Sequence, residues 1–140
     1  MLPRHRPAPA GIDPKIWGPS LWRVLHTAAE RQPVASPAWT AVVTALQTSL
    51  PCQECTGHYV AWVAAAGHGV VEGETDMRAW WLALHNDVNR RNRKGAWDAA
   101  AVTATYGTEE AVAAAAAAAA LESLVGKVGE AGIAALRFLL

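Results

Sequence analysis

Apolar residues recur along the chain at helical spacing, and the strict alternation that marks a strand is nearly absent. In G-P-S-L-W-R-V-L-H-T-A-A-E-R, Leu21, Trp22, Leu25, Ala28 and Ala29 form one stripe, and Pro19 with Ser20 suits a first turn. Pro33 closes that segment. Ser36 before Pro37 reads as an N-cap followed by proline at the first helical position, and a second helix then runs through Trp39, Val42, Val43 and Leu46 to about Leu50. Pro51 breaks the pattern and opens a third helix with Cys52 and Cys55 in its first turn. That helix continues past His58, Tyr59, Trp62 and Val63 to Gly67. The stretch G-H-G-V-V-E-G-E-T-D reads as a loop in which Thr75 or Asp76 caps the next helix. A fourth helix spans roughly Met77 to Arg93 and ends at Lys94-Gly95, with cations suitably placed at its C-terminus. A short fifth helix runs from Asp98 to about Tyr106. After Gly107 come an alanine-rich segment capped by Thr108, two interrupting glycines, Gly126 and Gly129, and a last apolar piece ending R-F-L-L.

These elements predict an all-α fold: a four-helix bundle with a short fifth helix and an additional alanine-rich C-terminal helical tail. Three regions follow, a flexible leader over 1–14, the bundle over 15–107 and the tail over 108–140. The tail reads as a packing helix without chemistry. Its apolar end, Leu136, Phe138, Leu139 and Leu140, also suits docking on a partner. A chain of 140 residues accommodates one domain with a real core. Zero net charge provides no general attraction to nucleic acid or acidic membranes, and no run reaches the ~18 apolar residues of a membrane span. Prolines occupy the place where a signal peptide would have its apolar stretch, which predicts an intracellular protein. Seven Trp against one Phe offers large flat faces for core packing or for stacking on a planar ligand.

Both cysteines lie in L-P-C-Q-E-C-T-G-H-Y. Thr56 after the second excludes the C-x-x-C-H of haem attachment. Zinc would need four ligands, and Cys52, Cys55, His58 and His68 could supply them only without the second knuckle that zinc folds normally have. Redox use has a positive argument. At a helix N-terminus, unpaired amides and the macrodipole favour a thiolate. No βαβ pattern surrounds the pair, so a thioredoxin fold is not indicated, and the electrons need another acceptor.

Two other segments suggest that acceptor. In W-W-L-A-L-H-N-D-V-N-R-R-N-R-K, Trp81, His85 and Asn89 share a face at i, i+4, i+8. On the first helix, Trp22 and His26 share a face by the same rule, and on the third Cys52 and Cys55 do so, continued by His58, Tyr59 and Trp62. A purely apolar core has no need of His26, His85, Asn86 and Asn89. A planar ring system wants aromatic walls, and a pyrophosphate wants cations such as those of the R-R-N-R-K run. Taken singly, most of the Trp residues, including Trp39, Trp62 and Trp80, read as core, and the basic run reads as a solvated helix end rather than a nucleic-acid contact.

Read together, W-G-P-S-L-W-R-V-L-H-T-A-A, P-C-Q-E-C-T-G-H-Y and H-N-D-V-N-R-R-N-R-K resemble the FAD-linked sulfhydryl oxidases of the Erv/Alr family, most of all its compact viral members. The resemblance runs from about Trp17 to Gly107. It implies a small helical bundle that binds FAD and dimerises through its first two helices. Cys55 would lie beside the flavin, and Cys52 would be the more accessible sulfur, attacked by a substrate thiolate. Gly18, Trp22 and His26 would line the cofactor pocket, with Tyr59 and Trp81 among its aromatic walls. His85 and Asn86 would meet the adenine end above Val88 and Asn89. Arg91 and Lys94 would reach phosphate or ribose, and Trp97 and Tyr106 would close the adenine side. The implied partners are a thiol-containing protein substrate or a separate C-x-x-C shuttle protein, molecular oxygen, and a second copy of the chain. A viral origin would put it in host cytoplasm or virion.

The chain departs from the family pattern at three places. Ala83 and Ala99 stand where many members have a long-range disulfide, Asn92-Arg93 replaces Leu-Gly before the lysine, and no third cysteine is present to act as an internal shuttle. Two other classes remain open: a non-catalytic binding module or scaffold that keeps FAD or a zinc ion, and a helical partner protein whose C-x-x-C is incidental.

Overall fold

Asp13 and Pro14 begin the first helix, α1 (Pro14–Arg31), where the Asp13 carboxylate accepts the Lys15 amide at 2.9 Å. The computed structural model describes residues 13–73, 75–120 and 130–140, so the leader up to position 12, Glu74, Gly126 and Gly129 lie outside the described residues. The expected start at Pro19 is therefore late, and Pro19 sits inside the helix. An aspartate N-cap followed by proline is the stronger start signal, while one proline near the N-terminus forfeits a single backbone bond. The next helix, α2 (Pro37–Ser49), begins as expected, with the Ser36 hydroxyl accepting the Trp39 amide. Trp39 is fully buried, and its indole N–H donates to the Gln32 carbonyl at 2.7 Å, fastening α2 to the end of α1.

Cys52 is the N-cap of α3 (Gln53–Ala66), and its sulfur accepts the Cys55 amide at 3.3 Å. The stretch expected to be a loop contains a short helix, α4 (His68–Val71). Val70 drives that turn, because it is almost fully buried in the core and its amide bonds back to the Gly67 carbonyl. Asp76 caps α5 (Met77–Arg91). Antiparallel bonds from Ala35 to the Thr75 carbonyl and from Met77 to the Pro33 carbonyl tie the α1–α2 connection to the start of α5.

The end of α5 differs from expectation in one respect. Lys94 N–H reaches the Asn89 carbonyl at 2.8 Å and Arg93 N–H the Arg90 carbonyl at 3.2 Å, which is the paired closure of a Schellman motif. The left-handed residue it requires is Arg93, at φ 58°, and not Gly95. Asp98 then caps α6 (Ala99–Tyr106), accepting the Ala101 amide at 2.7 Å. The Thr103 hydroxyl donates to Glu30 of α1 at 2.9 Å and holds α6 against α1.

The tail forms α7 (Glu109–Ala120), capped by Thr108, and α8 (Glu130–Leu139). It packs, as the alanine pattern predicts: α7 lies along α1, and α8 lies chiefly along α2. Leu136 and Leu139 point into the core, so of the apolar end only Phe138 is strongly exposed, at 83%. Among the described residues there is no strand beyond the single Val34–Asp76 bridge, and no described helix is long and apolar enough to cross a membrane. The all-α bundle thus holds, with the tail integrated into one core with Val24, Leu25, Trp39 and Trp81.

Candidate functional site

Helices α1, α5 and α6, with the segment that joins α5 to α6, bring five of the anticipated rings together. Trp22 and His85 stack face to face at 4.0 Å between centroids, with planes 3° apart. His26 lies 5.0 Å from His85 and 5.2 Å from Tyr106. Trp97 closes the group, 6.2 Å from His85 and 6.0 Å from Tyr106. The helical spacing of Trp22 and His26 puts both on one face of α1, and Gly18 continues that face one turn earlier. Gly18 is buried, yet a side-chain carbon there would meet nothing within 4 Å.

His26 Nε2 and His85 Nδ1 are 2.7 Å apart, so one ring donates and the other accepts. That bond requires at least one neutral imidazole. Burial, and then the charge repulsion of His85, hold His26 down to a pKa of about 3. Burial, and then the nearby Lys94 ammonium, hold His85 down to about 4. Burial also raises the Tyr106 hydroxyl, against the opposing pull of Arg23. The ring cluster is therefore neutral in ordinary buffer.

Asn86 has a role that helical spacing does not reveal. Its carboxamide oxygen accepts the Trp97 amide and its nitrogen donates to the Trp97 carbonyl, both at 2.9 Å. Asn86 thus holds the irregular stretch after α5 in place and sets Trp97 beside His85. Trp81, one turn before His85, is not drawn into the ring cluster. It is fully buried in a second aromatic series with Trp39 and Trp80, which Trp62 extends. Tyr59 is also buried, and its hydroxyl donates to the Val43 carbonyl of α2 at 2.9 Å. Burial raises its pKa. Val88 packs against the core and Asn89 is buried.

A cavity of about 470 Å³ opens between α3 and α5, lined by Trp62, Ala83, Asn86, Asp87, Arg90, Lys94 and Ala96. Lys94 lines it as anticipated. Arg91 does not, and is held by Asp87 at 3.1 Å, while Arg90, also paired with Asp87, does line it. Asp87 was not singled out by sequence, Trp62 was placed on the face of the cysteines but read as core, and Arg90 was counted only within the basic run. Trp62 carried a faint signal, seven residues after Cys55 and so nearly on its face.

Cys52 and Cys55 are joined as a disulfide, with Cα atoms 5.2 Å apart. Their exposure runs opposite to what the resemblance implied: Cys52 is 8% exposed, and Cys55 is half-buried. The N-cap geometry explains this, because the Cys52 sulfur folds back over the first turn towards the Cys55 amide. Among the described residues no group of three or more His, Cys, Asp and Glu is placed to hold a metal ion. The side chain of His68, considered above as a zinc ligand, lies outside the described residues.

Comparison with known proteins identifies the family. Residues 19–107 match the model of the Erv1/Alr family. A protein of Invertebrate iridescent virus 6 named as a FAD-linked sulfhydryl oxidase is 30% identical over 91 residues, covering 57% of this chain and 82% of the relative. One of the same naming from Invertebrate iridescent virus 3 is 31% identical over 101 residues, 68% of each chain. The FAD-linked sulfhydryl oxidase of African swine fever virus is 34% identical over 84 residues, 56% of this chain and 69% of the relative. No solved structure matches the chain. With its helix-start disulfide, its ring cluster and a family match across most of its length, the chain belongs to the Erv1/Alr family.

Proposed function

We propose that the protein is an FAD-dependent sulfhydryl oxidase that makes disulfides in thiol substrates. The observation that carries this reading is that α3 bears both the Cys52–Cys55 disulfide at its start and, two turns on, Trp62 in the wall of the cavity that α5 completes with Asn86 and Lys94. The residues present suit a flavin nucleotide. His26 Nδ1 in the ring cluster and Trp62 Nε1 in the cavity wall are buried without a hydrogen-bond partner, which costs free energy of about 1–3 kcal/mol each unless a ligand supplies one. Bare helix surface at Gly18, flat rings at Trp22, His85, Trp97 and Tyr106, and the cations Arg90 and Lys94 provide for stacking and phosphate contact.

A substrate thiolate attacks Cys52 Sγ, the role the resemblance gives it, which requires the more buried of the two sulfurs to turn out from its N-cap position; the new S–S bond forms, and Cys55 leaves as a thiolate. A second substrate thiolate then displaces Cys52, which completes the substrate disulfide and leaves both cysteines reduced. Amides of the first turn and the α3 macrodipole stabilise the thiolates so formed. Bound FAD would supply the acceptor for the dithiol's electron pair, with oxygen as the final acceptor and hydrogen peroxide as the product. The register of α3 suits this order, because Cys55 and Trp62 are seven residues apart and so lie on nearly the same side of the helix, and Trp62 lines the cavity. With only two cysteines in the chain, substrate reaches Cys52 directly or through the C-x-x-C of another protein. The bundle over 15–107 would carry the activity. A homodimer is not part of the proposal, because α7 and α8 lie on the two helices through which the resemblance implied pairing.

The purified protein is expected to be yellow, to bleach under dithiothreitol without oxygen, and to recover its colour in air. Cys55→Ser should abolish thiol-dependent oxygen uptake yet keep the colour, and Cys52→Ser should no longer trap a mixed disulfide. A colourless protein that takes up no added FAD, or oxygen uptake that survives Cys55→Ser, would overturn the proposal. Bound FAD without turnover would leave the scaffold reading in its place.

A further inference from the structure

Thr40, Thr44 and Gln47 share a face of α2 at i, i+4, i+7. They form one rim of a groove of about 260 Å³ between α2 and α3, whose floor holds Val43, Val63 and Val70. Val43 and Val70 are buried and Thr44 is exposed, so the groove is apolar below and polar at its edge. The polar edge is unused. Thr48 and Thr105 donate their hydroxyls back to a carbonyl of their own helix. The side chains of Thr40, Thr44 and Gln47 have no hydrogen-bond partner among the described residues.

Helix register shows where the groove leads. Leu50, Pro51 and Cys52 connect α2 to α3, and the Tyr59 hydroxyl donates to the Val43 carbonyl, so the two helices run side by side in opposite directions. One turn from each of those residues towards the connection stand Gln47 and Cys55, which are therefore about level. Counting the other way brings Thr40 to Val63, and both line the groove. The groove thus starts beside the disulfide. It lies on the α2 side of α3, whereas the cavity that contains Trp62 lies on the α5 side.

We propose that this groove seats the substrate polypeptide, as an extended, uncharged stretch next to its reacting cysteine. The occupant rests on the oxidase reading, since the disulfide must be met by a protein thiol. From Thr40 to Gln47 the rim spans about 10 Å at helical rise, the length of about three extended residues. An α-helix, ~10–12 Å across, is too broad for a groove of this volume. Extended backbone has N–H and C=O groups without internal partners, and hydroxyls and a carboxamide can both donate to and accept from them. The valine floor takes small apolar side chains. None of the lining residues is charged, so a charged substrate side chain would be desolvated there without a partner. Substrate and cofactor then use opposite flanks of α3 and do not compete for space.

The test uses the full chain and a fluorescein-labelled peptide, Ala-Val-Leu-Ser-Leu-Val-Ala, in which serine stands for the reacting cysteine. The comparison peptide has aspartate for both leucines. Fluorescence anisotropy reads binding without turnover. The wild-type protein should bind the apolar peptide at least about tenfold more tightly. Thr44→Trp, at an exposed position, should keep the circular dichroism of the wild type, fill the groove and abolish that preference. Thr44→Ala removes only the hydroxyl and should weaken the apolar peptide by about threefold. Equal binding of the two peptides by the wild type, or a preference that both substitutions leave intact, would overturn the proposal. Oxygen uptake by the wild type with dithiothreitol, a thiol too small to need the groove, reads the oxidase proposal alone, so the two fail separately.

Discussion

His26 and His85 carry a cost that depends on pH. Both are held neutral in the folded protein, with pKa values of about 3 and about 4, whereas an unfolded imidazole titrates near ~6.5. A depressed histidine pKa means that the unfolded chain takes up protons first as the pH falls. The stability this pair contributes is therefore complete above about pH 6.5 and is lost progressively towards pH 4. Urea unfolding of the protein from pH 8 to pH 4 should show a flat midpoint that then declines. His85→Gln should flatten the decline, since Lys94 and the second imidazole no longer oppose a shared charge; an unchanged acid slope would contradict it. Asn86 offers a second residue-level prediction. Asn86→Ala removes both bonds to the Trp97 backbone and should cost about 1–3 kcal/mol, with a change in Trp97 fluorescence. Asn86→Asp keeps the acceptor for the Trp97 amide and should lose less. Trp22, His26 and His85 were legible in the sequence because helical period alone puts them on inward faces. The Asn86 clamp was not, since its partner is a main-chain group eleven residues away in a segment without regular structure.

Helix ends show where local chemistry suffices and where it does not. Ser36 and Thr108 cap the helices they were expected to cap, Asp76 is the one of the two candidates that caps α5, and Asp98, expected as the first helical residue, is instead the cap of α6, because an N-cap needs only a short acceptor side chain and the next three amides. Asp98→Ala should cost about 1 kcal/mol and loosen α6, which carries Tyr106; thermal unfolding and flavin retention would both register it. At the end of α5 the sequence pointed to Lys94-Gly95, and the Schellman bonds put the left-handed residue at Arg93 instead. A side chain at positive φ costs roughly 1–2 kcal/mol, partly offset by the greater entropy of glycine when unfolded. Arg93→Gly should raise stability by up to about 1 kcal/mol, measured as a higher denaturation midpoint, and should leave Lys94 in the cavity wall. The short helix α4 had no such local signal. Four residues between glycines read as loop, and only burial of Val70 beneath neighbouring helices turns them helical.

The whole molecule is one apolar core that extends into its tail. Leu136 is fully buried, so Leu136→Ala should cost about 2–5 kcal/mol in a single unfolding transition. A tail that melted separately would instead give two transitions and a smaller loss. This unity helps to explain how the bundle does without the long-range disulfide that the resemblance would place between positions 83 and 99, where alanines stand. Packing of α7 and α8 on α1 and α2 adds buried surface that a disulfide does not provide. By itself the sequence determined the all-α class, most helix starts, the cysteine pair at a helix N-terminus and the aromatic-imidazole faces. Each of these depends on residues within a few positions of one another, which period and capping chemistry encode directly. Tertiary structure alone decided that Trp62 rather than Trp81 lines the cavity, that Arg90 rather than Arg91 does so, that Cys52 is the more buried sulfur, and which helices the tail covers. Those outcomes depend on the rotation of each helix about its axis against its neighbours, a quantity fixed by packing across distant parts of the chain and carried by no local pattern.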